Sequence, residues 1–178
     1  MPPIGACGLV AAMVEGQFRV CRRALVLAGG LGLGAIPRPG AATEQRLQES
    51  VLWEVNAFRA SRRRPALSLD PRLSQAATLH AIDMLRWGRM SHAGSDGSDP
   101  GARISRTGYR WRSYRENVGV GYTDVRQVVA GWIASPEHRA NLLADDVTQA
   151  GIGYAGGPGM VMGNMPRLFW ALVLATPR

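Results

Sequence analysis

The sequence contains no lysine. All 21 of its basic residues are arginine, set against 13 acids and three histidines. So uniform a choice points to a GC-rich genome more than to a binding function. Cysteine is almost absent too: Cys7 and Cys21 are the only two, and both precede Thr43. From Thr43 onward the chain therefore has no disulfide framework and no thiolate metal site. No apolar run approaches the roughly 20 residues that span a bilayer. Internal repeats are missing, as is the Gly-x-Ser-x-Gly elbow of a serine hydrolase. The acidic stretch Asp96-Gly97-Ser98-Asp99-Pro100 lacks the ligand spacing of an EF-hand loop and reads as a turn.

What remains is enough for one domain with a real core, because 178 residues at 46% apolar content is ordinary for a globular chain. Residues 1–42 read as an export leader, and 43–178 as a single domain. Arg19, Arg22 and Arg23 form a basic segment, Ala24–Ile36 a short glycine-softened apolar run, and Gly40-Ala41-Ala42 a small-residue cleavage site. A twin-arginine and a general secretory route fit equally, and both place the product in a secreted or periplasmic setting. With the leader removed, no transmembrane segment remains. Over 43–178 there are 17 arginines and 12 acids, a moderate excess that says little about partners.

Helical spacing of Leu47, Val51, Val55 and Phe58 predicts a first helix over Thr43–Arg62, stopped before Pro65. A second starts at the Asp70-Pro71 cap, carries Leu73, Ala76, Ala77, His80, Met84 and Trp87 on one face, and stops at Gly88. His80 on that apolar stripe reads first as a core histidine bonded to backbone and second as a neighbour of a site. A short helical turn follows over Pro100–Thr107. Glu116–Tyr122 reads as a strand, and Thr123 or Asp124 opens a third helix with Val125, Val128, Val129, Trp132 and Ile133 on one face. At Ser135-Pro136 a new helix begins, with the Ser135 hydroxyl as its cap and His138 in its first turn. The positive end of that helix favours a neutral imidazole. Gln149–Ala155 alternates glycine with apolar residues, as a closely packed strand does. Leu168–Thr176 is a continuous apolar run expected at the centre of a sheet. Helices first and strands later, with few crossovers, predict an α+β domain. The basic and aromatic mixture Arg110–Arg115 is a weak basis for single-stranded nucleic-acid binding, and no nucleic-acid partner is expected.

Three residues carry the chemistry. His92 stands in Ser91-His92-Ala93-Gly94-Ser95-Asp96-Gly97, Glu116 in Arg115-Glu116-Asn117-Val118-Gly119, and His138 in Ser135-Pro136-Glu137-His138-Arg139-Ala140-Asn141. Two imidazoles and a carboxylate can hold a divalent ion, or hold nothing. More than twenty residues separate each from the next, so spacing decides neither.

The ordered series of these motifs, with Arg103, Tyr109, Asn117 and the later Gly151-Ile152-Gly153, resembles the bacterial branch of the CAP superfamily (cysteine-rich secretory, antigen 5 and pathogenesis-related class 1 proteins) over about Ser50–Ala175. The resemblance implies a three-layer α-β-α sandwich with a small antiparallel sheet flanked by helices and a cleft on one side. It implies a cleft with two histidines and two glutamates, of which His92, His138 and Glu116 are three. The second acid is expected after Trp132, where this chain has Ser135, so the set is reduced to a triad. Asn117 either fixes the adjacent loop or touches a ligand, while Arg103 and Tyr109 support the fold. The functional expectation is an extracytoplasmic binding module whose cleft residues (His92, Glu116, Asn117, Ser135 and His138) take a lipid, glycan, peptide or other small ligand. The alternative is a zinc-dependent hydrolase in which His92, His138 and Glu116 hold Zn²⁺, or Glu116 serves as general base.

Overall fold

The computed structural model describes residues 39–156, 161–162, 165–166 and 168–178. The described residues form, in order, α1 (Pro39–Ser61), β1 (Ser68–Leu69), α2 (Pro71–Trp87), α3 (Pro100–Arg106), β2 (Trp111–Val120), α4 (Val125–Ala134), α5 (Pro136–Leu142), β3 (Gln149–Ala155), β4 (Val161–Met162), β5 (Met165–Pro166) and β6 (Phe169–Pro177). The leader reading falls outside the described residues, apart from its last four, which belong to α1.

The main sheet has the order β1-β3-β6-β2. β6 lies inside it, antiparallel to both β3 and β2, and this explains its unbroken apolar sequence. Alternate residues of a strand face opposite layers. Phe169, Ala171, Val173 and Ala175 pack with Leu73, Ala77 and Met84 of α2 and Ile104 of α3. Trp170, Leu172 and Leu174 pack with Val51 and Val55 of α1 and Val128, Val129 and Trp132 of α4. Two apolar cores therefore back on to one sheet, which is the α-β-α sandwich. The sheet is mixed rather than wholly antiparallel, because the two-residue β1 runs parallel to β3. A separate hairpin pairs β4 with β5.

Local chemistry sets the helix ends. Asp70 accepts the Arg72 and Leu73 amides at 2.8 and 3.4 Å, Asp99 the Ala102 amide at 2.7 Å, and Asp124 the Gln127 amide at 2.9 Å. Gly88 closes α2 in the left-handed region at φ 68°, which glycine adopts without a Cβ penalty. Two details depart from expectation. Trp87 is 44% exposed, because the last turn of α2 runs past the edge of the core. The strand over Glu116–Tyr122 starts earlier, at Trp111, since pairing with β6 extends to Pro177. Arg59, on which the sequence reading was silent, is buried and donates to the carbonyls of Pro65, Leu142 and Ala144 at 2.7–3.0 Å, tying α1 to the end of α5.

Ser135 corrects a further expectation. It is both the C-cap of α4 and the N-cap of α5, yet its side chain makes no cap hydrogen bond. Its backbone does the work: the amide donates to Gly131 and the carbonyl accepts from Arg139 at 2.8 Å. A shared corner fixed by main chain does not need the hydroxyl. Ser135→Ala should therefore move stability by less than about 0.5 kcal/mol, not the roughly 1 kcal/mol of a working cap. Urea unfolding midpoints separate the two values.

Candidate functional site

β2 is an edge strand, and consecutive residues on it serve opposite layers. Glu116 pairs with Val173 and so faces the α2 and α3 side. Asn117 pairs with Leu172 and faces the α4 and α5 side. Groups from both layers can therefore meet over this edge.

Glu116 is buried, with its side chain only 2% exposed. Its Oε1 accepts from His92 Nδ1 at 2.9 Å and its Oε2 from Arg103 Nη2 at 2.7 Å. His80 Nε2 stands 3.8 Å from Oε1 and donates instead to the Ser91 carbonyl at 2.8 Å. Neutral His80 then presents its buried Nδ1 as an acceptor without a protein partner. Arg103, itself buried, also donates to the carbonyls of Ser98 and His92 at 2.8 and 2.9 Å. One guanidinium thus holds the carboxylate and the loop that carries His92. Behind it lies a cavity of about 260 Å³ lined by His80, Asp83, Ser95, Asp96 and Ser98, among others.

On the other layer, Asn117 Nδ2 donates to the His138 carbonyl at 3.1 Å, and its Oδ1 accepts from Asn141 Nδ2 at 2.9 Å. Asn141 also donates to the Glu116 carbonyl at 3.2 Å. The Asn117 side chain thus docks α5 on β2. The His138 ring then stands 6.5 Å from that of His92, tilted by 57°. The wider hollows lie elsewhere: about 870 Å³ between α1 and α4 beside the exposed Trp53, and about 540 Å³ between α1 and α2.

His92, Glu116, His138 and Asn117 therefore lie in one neighbourhood, whereas Ser135 enters through its backbone. Sequence reasoning placed Arg103 in the scaffold, gave His80 a core reading first and a place beside the site second, and assigned no role to Asn141. The offset of 13 residues between Arg103 and Glu116 carries no local signal, because α3 and β2 meet only on folding. Tyr109 does support the fold: it is buried and donates to Gln149 at 2.6 Å.

The imidazoles are driven apart electrically. The hydrogen bond and charge of Glu116 raise His92 above the ordinary histidine range, against opposing burial. Burial lowers His138, and nearby His92 lowers it further. Burial also lowers His80. The neutral state expected of His138 from its helix position thus has a first cause in burial. The signs follow. His92 contributes stability that is present below about pH 6.5 and lost as pH rises through its raised folded value. His80 and His138 oppose folding once pH falls below about 6.5. In an NMR titration His92 should have the highest midpoint of the three, and Glu116→Gln should bring it down. A His92 midpoint below that of His138 would refute the assignment.

The donor set does not fit a three-ligand zinc site. His92 turns Nδ1 toward Glu116, so only Nε2 is left for an ion, on the far side of the ring from that carboxylate. An ion on Nε2 cannot also sit on Glu116. Both carboxylate oxygens are already engaged, and among the described residues no three His, Cys, Asp or Glu side chains are grouped to hold a metal.

Comparison with known proteins agrees with this architecture. Over 107 residues the chain is 27% identical to the uncharacterized protein YkwD of Bacillus subtilis strain 168, covering 60% of this chain. It spans only 42% of that relative's length. An extracellular protein containing an SCP domain from Bacillus anthracis superposes with a TM-score of 0.65 at 22% identity, over 80% of this chain and 45% of the other. An outer surface protein of Borrelia burgdorferi gives 0.64 at 20% identity, over 73% and 92%. These likenesses establish the fold. The profile of the family described as "CAP: Cysteine-rich secretory protein family" matches residues 52–171, well over half of the chain and all of the elements that carry the site. The chain belongs to the cysteine-rich secretory protein (CAP) family.

Proposed function

We propose that the chain is an exported binding module, with a ligand taken at the β2 edge by His92 and His138. The supporting observation is the state of Glu116. Its carboxylate is buried and engaged through both oxygens, so it orients His92 rather than meeting water. A general base must come within hydrogen-bond reach of the proton it removes, directly or through one water. Glu116 is not placed for that, and this favours binding over hydrolysis. The His92 side chain is by contrast 55% exposed, so a ligand can reach its Nε2. His138, with its lowered proton affinity, supplies a neutral imidazole beside it. The export reading draws on the leader composition, on the extracellular description of the Bacillus anthracis protein and on the outer-surface description of the Borrelia protein. Among the described residues no helix is long and apolar enough to cross a membrane.

The ligand class is a lipid, glycan or peptide. The test offers the full chain three probes: acyl-chain vesicles, soluble envelope glycan fragments and short peptides. Calorimetry and product analysis are run on each. Saturable binding to one class, weakened about tenfold or more by His92→Ala and by His138→Ala, is the expected result. Turnover of a probe that disappears in Glu116→Gln would replace the binding reading with the hydrolase.

A further inference from the structure

We infer that Arg103 takes the place of a divalent ion in this cluster, so that the His92–Glu116 pair is held without a metal. A carboxylate withdrawn from water needs a compensating positive charge and hydrogen-bond donors. A bound cation would be one way to supply them, and Arg103 is another. Its Nη2 lies 2.7 Å from Glu116 Oε2, with the arginine side chain 9% exposed and the glutamate side chain 2%. The same guanidinium is anchored by the Ser98 and His92 carbonyls, so its position does not depend on Glu116 alone. Guanidinium stays charged over the whole working pH range. Unlike a metal, it neither dissociates nor yields to a chelator.

The arrangement also fixes which nitrogen of His92 faces outward. With Nδ1 bonded to Glu116, the ring exposes Nε2 and adopts one orientation. In metal sites a carboxylate often plays this part behind a ligating histidine. Here the carboxylate's second oxygen is spent on an internal cation. The neighbouring His80 commits its Nε2 to the Ser91 carbonyl, and its unpartnered Nδ1 belongs to no group of three ligands among the described residues. An ion entering between His92 and His138 would find two imidazoles with the Glu137 charge nearby, but among the described residues no third side chain is grouped with them to ligate it.

This inference concerns the residues of the proposed binding site but not the ligand. Zinc affinity can be read whether or not a lipid, glycan or peptide binds, so failure of one reading leaves the other standing. The experiment is calorimetric titration of zinc into the metal-stripped full chain, alongside melting curves with EDTA and with zinc. Wild-type protein should give no saturable one-to-one binding at micromolar concentration and the same Tm in both additives. Arg103→Gln removes the internal cation and frees Glu116 Oε2. It should gain zinc affinity by about tenfold or more, the ion taking the Glu116 oxygen and the Ser98 and His92 carbonyls that the guanidinium vacates, and Glu116→Gln in the same chain should abolish the gain. Should Arg103→Gln not fold, Arg103→Lys keeps a charge without the three bonds and should refuse zinc like wild type. Tight wild-type binding that is lost in both His92→Ala and Glu116→Gln would overturn the inference. So would a folded Arg103→Gln chain with unchanged zinc affinity, or an Arg103→Lys chain that binds zinc tightly.

Discussion

Arg103→Met should destabilise the domain by about 3–5 kcal/mol, the range for removing one partner of a buried ion pair. Methionine replaces the aliphatic stem and ends short of the guanidinium. It leaves Glu116 Oε2 with no donor and the carboxylate with no positive neighbour except the half-exposed His92. The Ser98 and His92 carbonyls lose their donor at the same time. Adding Glu116→Gln should recover part of the loss, because the stranded charge is gone, but not the part due to those carbonyls. A double-mutant cycle on urea unfolding at pH 7 isolates the coupling. A single-variant loss under about 1 kcal/mol would place the pair with weak surface bridges instead.

The contrast between Arg103 and Asp70 explains how much of this molecule was legible from the chain. Asp70, Pro71 and Gly88 act within a turn of where they stand, so the bounds of α2 could be read from residue types alone. β6 was legible for a similar reason, since a strand buried on both faces must be apolar throughout. Arg103 stood out among 21 arginines only by its place in the motif series, which gave it a supporting role and no partner. Its partners come from the loop before α3 and from β2, which only the fold assembles. Arg59 was hidden in the same way, because its acceptors at Leu142 and Ala144 lie more than eighty residues away. The cluster of His92, Glu116 and His138 was visible through motif order, but not the direction of its bonds. Which nitrogen of His92 meets Glu116, and what occupies the second oxygen, depends on how α3 lies against β2. Ser135 failed in the opposite sense: its residue type and the following proline match a cap, yet the corner between two helices was already closed by main-chain bonds.

Gly151 and Gly153 set the strictest packing limit on the domain, and substituting them should have the other large effect. Both lie on the face of β3 turned toward α2. A Cβ at Gly151 would fall within the van der Waals radii of the Leu73 carbonyl carbon and the Ser74 nitrogen. One at Gly153 would do the same to the Thr78 nitrogen and Cα. The obstacles are helix backbone, not flexible side-chain ends, so no rotamer change relieves them. α2 must instead move off the sheet as a body, and it carries Leu73, Ala77 and Met84 out of contact with Ala171 and Val173. Overpacking typically costs about 1–3 kcal/mol when neighbours can adjust. Gly153→Ala should reach or exceed the top of that range, and the pair Gly151→Ala with Gly153→Ala should leave the chain unfolded at 25 °C. The site should suffer before the fold is lost, because α2 also carries His80 and leads into the loop of His92. In Gly153→Ala the NMR midpoint of His92 should therefore fall toward an unperturbed histidine as its bond to Glu116 loosens. A variant that keeps both its stability and the raised His92 midpoint would mean that α2 can shift without disturbing the cluster. It would also mean that the close helix–sheet contact is not what holds the site in place.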